Sequence, residues 1–333
     1  MTRPFRLAVN GASGRMGRAL LDLLGADGDA ELVHAVVAPG SIHAGQPVPG
    51  VANGTLRYAH DWTQAPPMTR PLRLALSGAS GRMGHALLSL LGDDTRFELV
   101  HAVVAPGSIH DGQPVSAAAA GSLRYAHDWT LAPPIDVIVD FSSPAALALA
   151  LDHCLAHGTA LVSGTTGMDA TLEARLADAG QRIAILRAAN FSLGVAVLAR
   201  LLREAAAALP DWDLEIVEAH HGRKQDAPSG TALALGQAAA AARNTTLEAA
   251  AIYSREGRTG ERIEGSIGFA VVRGGDIVGE HTAMLIGQGE RVELAHRATD
   301  RSIFARGALH AAHWLAGRAP GQWQLDDVIA TLR

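Results

Sequence analysis

The sequence has almost no lysine or cysteine. Its 333 residues include a single cysteine, Cys154, so no disulfide can form within the chain. A chain without disulfides fits a reducing compartment, and we expect a cytoplasmic protein. Cys154 lies in an apolar stretch typical of a helix, which predicts a small core residue rather than a nucleophile.

Charge and hydropathy exclude several classes of protein. The net charge of −5 provides no basic surface, so we expect no nucleic-acid partner. Charge or glycine interrupts the apolar runs before about 18 residues, which predicts no membrane-spanning helix. The residues after Met1 lack the apolar region of a signal peptide. A hydrophobic content of 48% over 333 residues is instead typical of a globular protein of about two domains.

The single lysine, Lys224, closely follows two adjacent histidines, His220 and His221, whereas the other 27 of the 28 basic residues are arginine. Lysine offers a compact ammonium group whose pKa responds to its surroundings, while arginine stays charged. A neighbouring histidine can act as an acid near neutral pH. The pattern predicts a site of proton transfer, although a lone lysine can also arise by chance in an arginine-rich chain.

Three small residues, Ser229, Gly230 and Thr231, precede a helix-forming run over residues 232–242. Their backbone N–H groups are expected to be free at the start of this helix, where they can bind an anion such as a carboxylate. Glycine at the middle position lets the anion approach closely. A polar loop that merely caps an ordinary helix explains these three residues equally well, but it does not explain the histidines and the lysine.

The first 134 residues are a repeat. Residues 1–67 and 68–134 align without a gap at an offset of 67, and 51 of the 67 positions are identical. Two copies are too few for a solenoid, so we interpret the repeat either as a tandem duplication of one strand–helix–strand segment or as a duplication introduced when the gene sequence was assembled. Both copies cannot fill the same strand positions of one sheet. We predict that residues 68–134 complete the fold, because they run directly into the strand that begins at Ile135.

Each copy contains a strand, a glycine-rich loop, a helix and a second strand, the context of a dinucleotide-binding fingerprint. Glycines there allow a tight turn and a close approach to the pyrophosphate. The predicted cofactor-binding residues of the second copy are Gly78, Ala79, Ser80, Gly81, Arg82 and Met83. The first copy carries the equivalent glycines Gly11, Gly14 and Gly17 as a less favoured alternative.

Small polar loops follow the later strands of the same pattern. In a parallel sheet these loops meet at one edge, where ligands bind. We therefore add to the predicted cofactor site Gly164, Thr165, Thr166, Ala188, Ala189, Asn190 and Phe191. The second strand ends in Ala105-Pro106-Gly107, without the acidic residue usual in NAD-specific folds. NADPH is therefore the preferred prediction, with NADH tolerated, since Arg82 can attract a 2′-phosphate.

The predicted fold is α/β, with a Rossmann-like parallel sheet in the nucleotide domain and a smaller α+β domain for substrate binding and oligomerisation. The nucleotide domain is expected over residues 68–191 and 302–333, and the second domain over 192–301. The alternating pattern of the later strands, predicted at 263–272, 276–286 and 291–296, favours a mixed or antiparallel sheet in the second domain.

Several motifs occur in a characteristic order, and together they resemble one family. They are Gly78-Ala79-Ser80-Gly81-Arg82-Met83-Gly84, Asp140-Phe141-Ser142, Gly164-Thr165-Thr166-Gly167, Ala189-Asn190-Phe191-Ser192, the His220–Thr231 stretch and Gly279-Glu280-His281-Thr282. From residue 68 to 333 the chain closely resembles the 4-hydroxy-tetrahydrodipicolinate reductases (dihydrodipicolinate reductases) of bacterial lysine and diaminopimelate biosynthesis.

The resemblance implies a cytoplasmic homotetramer that reduces a small cyclic dicarboxylate with NADPH or NADH. It assigns His220 as the proton donor and Lys224 as its catalytic partner. The substrate-binding residues that it implies are His221, Ser229, Gly230 and Thr231.

Other functions remain possible from the sequence. One is a non-catalytic NAD(P)-binding paralogue, and another is a different Rossmann oxidoreductase acting on a small dicarboxylate, such as a semialdehyde dehydrogenase with a thioester intermediate. The latter requires a reactive cysteine. A metal site is not expected, because the adjacent histidines point in different directions and no further ligand lies at a helical spacing.

Overall fold

The computed structural model describes residues 5–10, 12–26, 30–49, 56–60, 70–115 and 123–331. The chain forms two compact units, residues 1–71 and 72–333. The first unit contains β1 (Phe5–Asn10), α1 (Arg15–Ala26) and β2 (Ala30–Val36). No helix in the described part of the chain is both long and apolar enough to span a membrane.

The first unit has a small core of its own. Strands β1 and β2 are parallel, and their register shifts between Leu7 and Ala8. The second copy shows the same shift 67 residues later, between Leu74 and Ala75. Buried side chains from both strands, the helix and the following loop include Val9, Leu21, Leu32, Val37, Val48 and Tyr58. The two copies therefore adopt the same local structure.

The second unit begins with a parallel sheet and its helices. Its elements are β3 (Leu72–Ser77), α2 (Arg82–Leu91), β4 (Phe97–Val103), β5 (Tyr125–Ala126), β6 (Val137–Asp140), α3 (Pro144–His157), β7 (Ala160–Ser163), α4 (Ala170–Ala179) and β8 (Ala184–Arg187). With β14 (Gly321–Trp323), the strands are ordered β14-β8-β7-β6-β3-β4-β5. Strands β6 and β7 are buried throughout, as expected for short apolar strands covered by helices on both faces. The predicted Rossmann-like sheet is confirmed.

A second sheet is mixed. Its elements are α5 (Leu193–Ala208), β9 (Asp213–His220), α6 (Gly230–Ala242), α7 (Leu247–Ala250), β10 (Ala251–Ile252), β11 (Ile267–Arg273), β12 (Gly279–Ile286) and β13 (Arg291–Ala298). The five strands are ordered β10-β11-β9-β12-β13, and β12 is antiparallel to both of its neighbours. Alternate residues of β9 are buried, so one face of the sheet packs against α5 and α6. The predicted α+β character is confirmed.

The chain ends with helix α8 (Ser302–Leu315) and helix α9 (Leu325–Thr331). Buried residues of α8, such as Ala308 and Leu309, share a core with Leu74 of β3 and Leu186 of β8. The domain limits at 191/192 and 301/302 stay a prediction.

Two predicted strands are too long at their start. The strand predicted from residue 276 begins at Gly279 in β12, and the strand predicted from residue 263 begins at Ile267 in β11. Residues 263–266 form a turn, because the Ser266 hydroxyl donates a hydrogen bond to the carbonyl of Ile263 at 2.6 Å. Side-chain hydrogen bonds of this kind compete with strand pairing, and an apolar count along the sequence does not detect them.

Candidate active site

The glycine-rich loop of the second copy connects β3 to α2. Gly78 has φ +79°, and a Cβ atom there would overlap the carbonyl oxygen of Phe141. A Cβ atom at Gly84 would overlap the carbonyl of Ala79 in the same way. Gly81 caps α2 without a side-chain hydrogen bond to the helix. The first amide groups of α2 therefore face a closely packed glycine turn, the geometry that binds a phosphate. The loop fits a dinucleotide.

The remaining predicted loop residues differ in exposure. Ala79 is buried, whereas Arg82 is exposed and makes no hydrogen bond or ion pair within the described residues. Ser80 and Met83 are half-buried. In the first copy, Gly14 precedes α1 and Gly17 lies within it, while Gly11 lies outside the described residues.

A buried carboxylate, Asp140, organises the ends of β6 and β7. It accepts hydrogen bonds from the hydroxyls of Ser142, Ser163 (2.8 Å) and Thr165 (2.7 Å). A Cβ atom at Gly164 would overlap the ring of Phe141. The network holds Gly164 and Thr165 at the edge of the sheet and leaves the next residue, Thr166, exposed.

The loop after β8 connects the two sheets of the second unit. Asn190 accepts a hydrogen bond from the amide of Ser192 at 2.8 Å. Its Nδ2 donates to Oγ1 of Thr231, at the start of α6, at 3.0 Å. Phe191 is buried with its ring centroid 5.4 Å from that of Phe141. The predicted cofactor loop therefore lies directly beside the predicted substrate loop.

A cleft of about 600 Å³ opens at this edge of the parallel sheet. Four of the predicted cofactor-binding residues line it, namely Thr165, Thr166, Ala188 and Ala189. Residues of the last strand and helix complete its wall, so the cleft is formed by the ends of three neighbouring strands.

His220 is the last residue of β9 and is nearly buried. Its Nδ1 lies 2.6 Å from Oε2 of Glu218. Its Nε2 makes no hydrogen bond within the described residues. A Cβ atom at Gly279 would come within 3.1 Å of this nitrogen, so glycine at that position keeps the space beside Nε2 open. His220 can therefore present Nε2 to a substrate.

His221 and Lys224 occupy the turn that follows. The backbone amide of Lys224 donates to the carbonyl of His221 at 3.1 Å. The Lys224 ammonium binds both carboxylate oxygens of Asp226, at 2.7 and 2.8 Å. These bonds hold the pKa of the Asp226 carboxyl below its usual value. Desolvation, followed by the charges of Arg223 and Arg301, lowers the pKa of His221.

Helix α6 starts at Gly230, two residues before the predicted run at 232–242, and one of the amides expected to be free there is occupied. Ser229 caps the helix through its hydroxyl, which accepts from the amide of Ala232 at 3.2 Å. Its own amide was expected to be free, and this expectation is wrong, because Oε1 of Glu218 accepts from it at 3.0 Å. The amides of Gly230 and Thr231 make no hydrogen bond within the described residues. The anion site is therefore limited to two amides.

Three residues of the site were not assigned from the sequence. Glu218 is fully buried and bonds His220 and Ser229, and Arg273 binds both of its oxygens at 2.7 and 2.8 Å. Burial raises the pKa of Glu218, but the hydrogen bonds from Arg273, His220 and Ser229 bring it below its usual value. Buried His281 lies 3.0 Å from the Ser229 hydroxyl, and desolvation lowers its pKa to about 4.

Cys154 does not present an exposed thiol. Cys154 is fully buried in α3, and burial raises the pKa of its thiol. A thiol in this state is unreactive, so the thioester mechanism considered from the sequence has no nucleophile here. Among the described residues no group of three or more His, Cys, Asp or Glu side chains could hold a metal ion.

Comparison with known proteins gives a consistent result. The family model for the N-terminal part of dihydrodipicolinate reductase matches residues 5–59 and 72–191, and the model for its C-terminal part matches residues 194–329. The 4-hydroxy-tetrahydrodipicolinate reductase of Thiobacillus denitrificans is 49% identical over 262 residues, which are 78% of this chain and 98% of the relative. The reductase of Alkalilimnicola ehrlichii is 47% identical over 262 residues, 77% of this chain and 98% of the relative.

A solved structure shows the same fold. The dipicolinate-bound dihydrodipicolinate reductase from Paenisporosarcina sp. TG-14 has a TM-score of 0.64 and 23% sequence identity, and the match covers 77% of this chain and 99% of that one. The N-terminal family model matches both copies of the repeat, whereas about a fifth of this chain lies outside the match to each relative. The chain belongs to the dihydrodipicolinate reductase family.

Proposed function

We propose that the chain reduces 4-hydroxy-tetrahydrodipicolinate to tetrahydrodipicolinate in lysine and diaminopimelate biosynthesis, with a pyridine nucleotide as the reductant. The observation that carries this proposal is the hydrogen bond from Asn190 to Thr231. This hydrogen bond joins the edge of the nucleotide sheet to the start of α6, which follows His220 and Lys224 in the chain. The loop predicted to bind the cofactor and the loop predicted to bind the substrate are therefore neighbours.

Each group of the site suits one part of the substrate. The bound cofactor supplies a hydride. The overall reaction replaces a ring hydroxyl by hydrogen and releases water, which consumes the hydride and one proton. His220 supplies the proton from Nε2, because Nδ1 is held by Glu218. The amides of Gly230 and Thr231 bind one carboxylate, and Lys224 with His221 binds the other once the carboxylate displaces Asp226.

Turnover decides between this function and a non-catalytic paralogue. We expect the absorbance of NADPH to fall when freshly generated 4-hydroxy-tetrahydrodipicolinate is added to the protein. Tight NADPH binding without any turnover would support the non-catalytic alternative instead.

Lys224→Arg is expected to lower kcat by at least about tenfold, because the larger group would misplace the substrate carboxylate that Lys224 binds, and a misplacement of about 1 Å can cost roughly 10²-fold. Arginine keeps the charge and can keep the Asp226 contact, but its planar fork does not reproduce the compact ammonium. Steady-state kinetics with varied substrate measure the effect. A kcat equal to that of the wild type would mean that Lys224 provides only positive charge.

We propose that NADPH is preferred over NADH. The exposed residues Ala105–Gly107 provide no carboxylate that would repel a 2′-phosphate, and the Arg82 guanidinium is unpaired within the described residues. Arg82→Gln should therefore raise the KM for NADPH by about tenfold and change that for NADH much less, because one charge-assisted contact contributes roughly 1.5 kcal/mol. An equal change for both cofactors would show that Arg82 binds the shared pyrophosphate.

We also propose that the second copy of the repeat completes the nucleotide site. The second copy carries Leu76 and Phe97 in the core of the sheet, where the first copy has Val9 and Ala30 at the equivalent positions. The smaller side chains would leave cavities that cost about 1 and 3 kcal/mol or more. A chain that starts at Met68 should therefore keep the kcat and the NADPH affinity of the full chain. Loss of NADPH binding would show that the first copy contributes.

The family resemblance also bears on the oligomeric state and the cellular location of the protein. We propose a cytoplasmic homotetramer, as the family resemblance implies. Sedimentation velocity of the full chain measures the assembly, and a monomer at micromolar concentration would contradict it.

A further inference from the structure

We infer that Glu218, held by Arg273, is a positioning residue that fixes which ring nitrogen of His220 carries a hydrogen. The same carboxylate also fixes the position of His220 relative to the anion site at α6; this inference rests on the proposed function. Glu218 and His220 are two residues apart on β9, so both side chains point to the same face of the sheet. The sequence alone predicted no role for Glu218.

Glu218 is the acceptor in each of the hydrogen bonds that it makes with the described residues. Oε1 accepts from the Ser229 amide at 3.0 Å and from Arg273 at 2.7 Å. Oε2 accepts from Arg273 at 2.8 Å and lies 2.6 Å from Nδ1 of His220. An ionised carboxylate only accepts, so Nδ1 of His220 carries a hydrogen. In the neutral ring the other nitrogen, Nε2, is then free of hydrogen, and it gains one only in the imidazolium form.

This arrangement prepares His220 to give its proton from one atom. The Nδ1 hydrogen is fixed by a buried bond, so the proton that can leave is the one on Nε2, beside the space that Gly279 keeps open. The same carboxylate holds the Ser229 amide and so sets the start of α6, where the Gly230 and Thr231 amides lie. One buried carboxylate thereby fixes the distance between the acid and the anion site.

Glutamine cannot replace Glu218 in this network. Each carboxylate oxygen faces only N–H donors, so either orientation of the amide would point its NH₂ group at other donors. We expect Glu218→Gln to lower kcat by at least about tenfold, since the corresponding change at the carboxylate that orients the histidine of serine proteases costs about 10⁴-fold. NADPH affinity should change by less than kcat, because, within the described residues, Asn190 is the one predicted cofactor residue bonded to the start of α6, whereas the glycine-rich loop lies on the other sheet.

The pH dependence provides a signature that loss of structure would not give. The charged and titratable groups around His220 are Glu218 on the same strand, Arg273 on β11, His281 on β12, and His221, Lys224 and Asp226 in the following turn. Glu218→Gln removes a negative charge and leaves Arg273 uncompensated, so the alkaline fall in rate should move to lower pH. Arg273→Gln removes the positive charge and should move it to higher pH.

Glu215→Gln is the matched control. Glu215 lies on the same strand and is also bound by two arginines, Arg255 and Arg262, but it faces the opposite side of the sheet. It should keep the kcat and the pH profile of the wild type. If both glutamate variants lost activity equally, or if both site variants shifted the profile in the same direction, the inference would be overturned.

The ring nitrogens of His220 test the inference without any substrate. In full-length protein labelled with ¹⁵N-histidine, the signal assigned through His220→Gln should show hydrogen on Nδ1 in the neutral form. The signal should change in Glu218→Gln and not in Glu215→Gln. Hydrogen on Nε2 in the wild type would refute the positioning role, whereas absent turnover with the expected nitrogen pattern would refute only the proposed function.

Discussion

Replacing His220 with glutamine is expected to lower kcat by about 10²–10⁴-fold, the usual contribution of a general acid. Glutamine can keep one hydrogen bond to Glu218, but it has no proton to donate at neutral pH. The affinity for NADPH should stay that of the wild type, because the loops predicted to bind it are held by Asp140 and by glycine packing rather than by His220. Steady-state kinetics and a fluorescence titration with NADPH measure the two quantities separately.

His313→Gln is a suitable control for this experiment. His313 lies on α8 with its ring 6.1 Å from that of Phe97, outside the candidate site. It should leave kcat within about twofold, as expected for a substitution that changes stability by no more than about 0.5 kcal/mol. Wild-type turnover in His220→Gln would contradict the assignment of the proton donor and would favour Lys224 or water in that role.

Gly307→Ala is expected to destabilise the second unit and to weaken NADPH binding at the same time. Gly307 lies in α8, and a Cβ atom there would overlap the carbonyl oxygen of Phe191 and come within 2.9 Å of its carbonyl carbon. The obstacle is backbone, so no rotamer change can relieve the clash. Overpacking costs about 1–3 kcal/mol, and the better helix propensity of alanine returns only about 1 kcal/mol.

The clash is expected to lie at the upper end of that range, since Phe191 is buried and the added Cβ atom would lie far inside the van der Waals distance from its carbonyl oxygen. A net loss of about 2 kcal/mol corresponds to a fall of about 3–4 °C in Tm for a unit of this size. Because Phe191 ends the loop that begins at Ala188, the same displacement moves a predicted cofactor contact. Calorimetry and an NADPH titration measure both effects.

Gly274→Ala controls for the loss of a glycine as such. A Cβ atom at Gly274 meets no atom within 4 Å, and this residue does not have a positive φ. Its Tm should stay within about 2 °C of the wild type. A Gly307→Ala protein as stable as Gly274→Ala would show that the helix can shift away from Phe191 at little cost.

The outline of the fold could be predicted because its signals are local. The strand Leu72–Ser77, the glycine turn and the helix that follows are encoded within about twenty consecutive residues, and periodicity and glycine spacing detect them. The start of α6 was predicted to within two residues for the same reason, since Ser229 caps its own helix. The turn at residues 263–266 was missed because the predicted strand was extended over Gly265, which has φ +71°, and over the hydrogen bond from the Ser266 hydroxyl to Ile263.

The candidate site was only half predictable. The residues that a short motif contains, His220, His221 and Lys224, were named from the sequence. Arg273 was not named, because it is 55 positions from Glu218 and reaches it only through the pairing of β11 with β9. His281 approaches Ser229 through the pairing of β12 with β9 in the same way.

By itself, the sequence determined the chain's alternating strands and helices and its duplicated opening segment, and it singled out the residues predicted to be the acid and the ammonium group. The tertiary structure decided how these groups are held: that Glu218 occupies the Ser229 amide, that Asp226 binds Lys224, and that Asn190 joins the two sheets at Thr231. The reason is physical. Secondary structure and helix caps depend on neighbours within a few residues, whereas a buried carboxylate finds its donors only after strands far apart in the chain have paired.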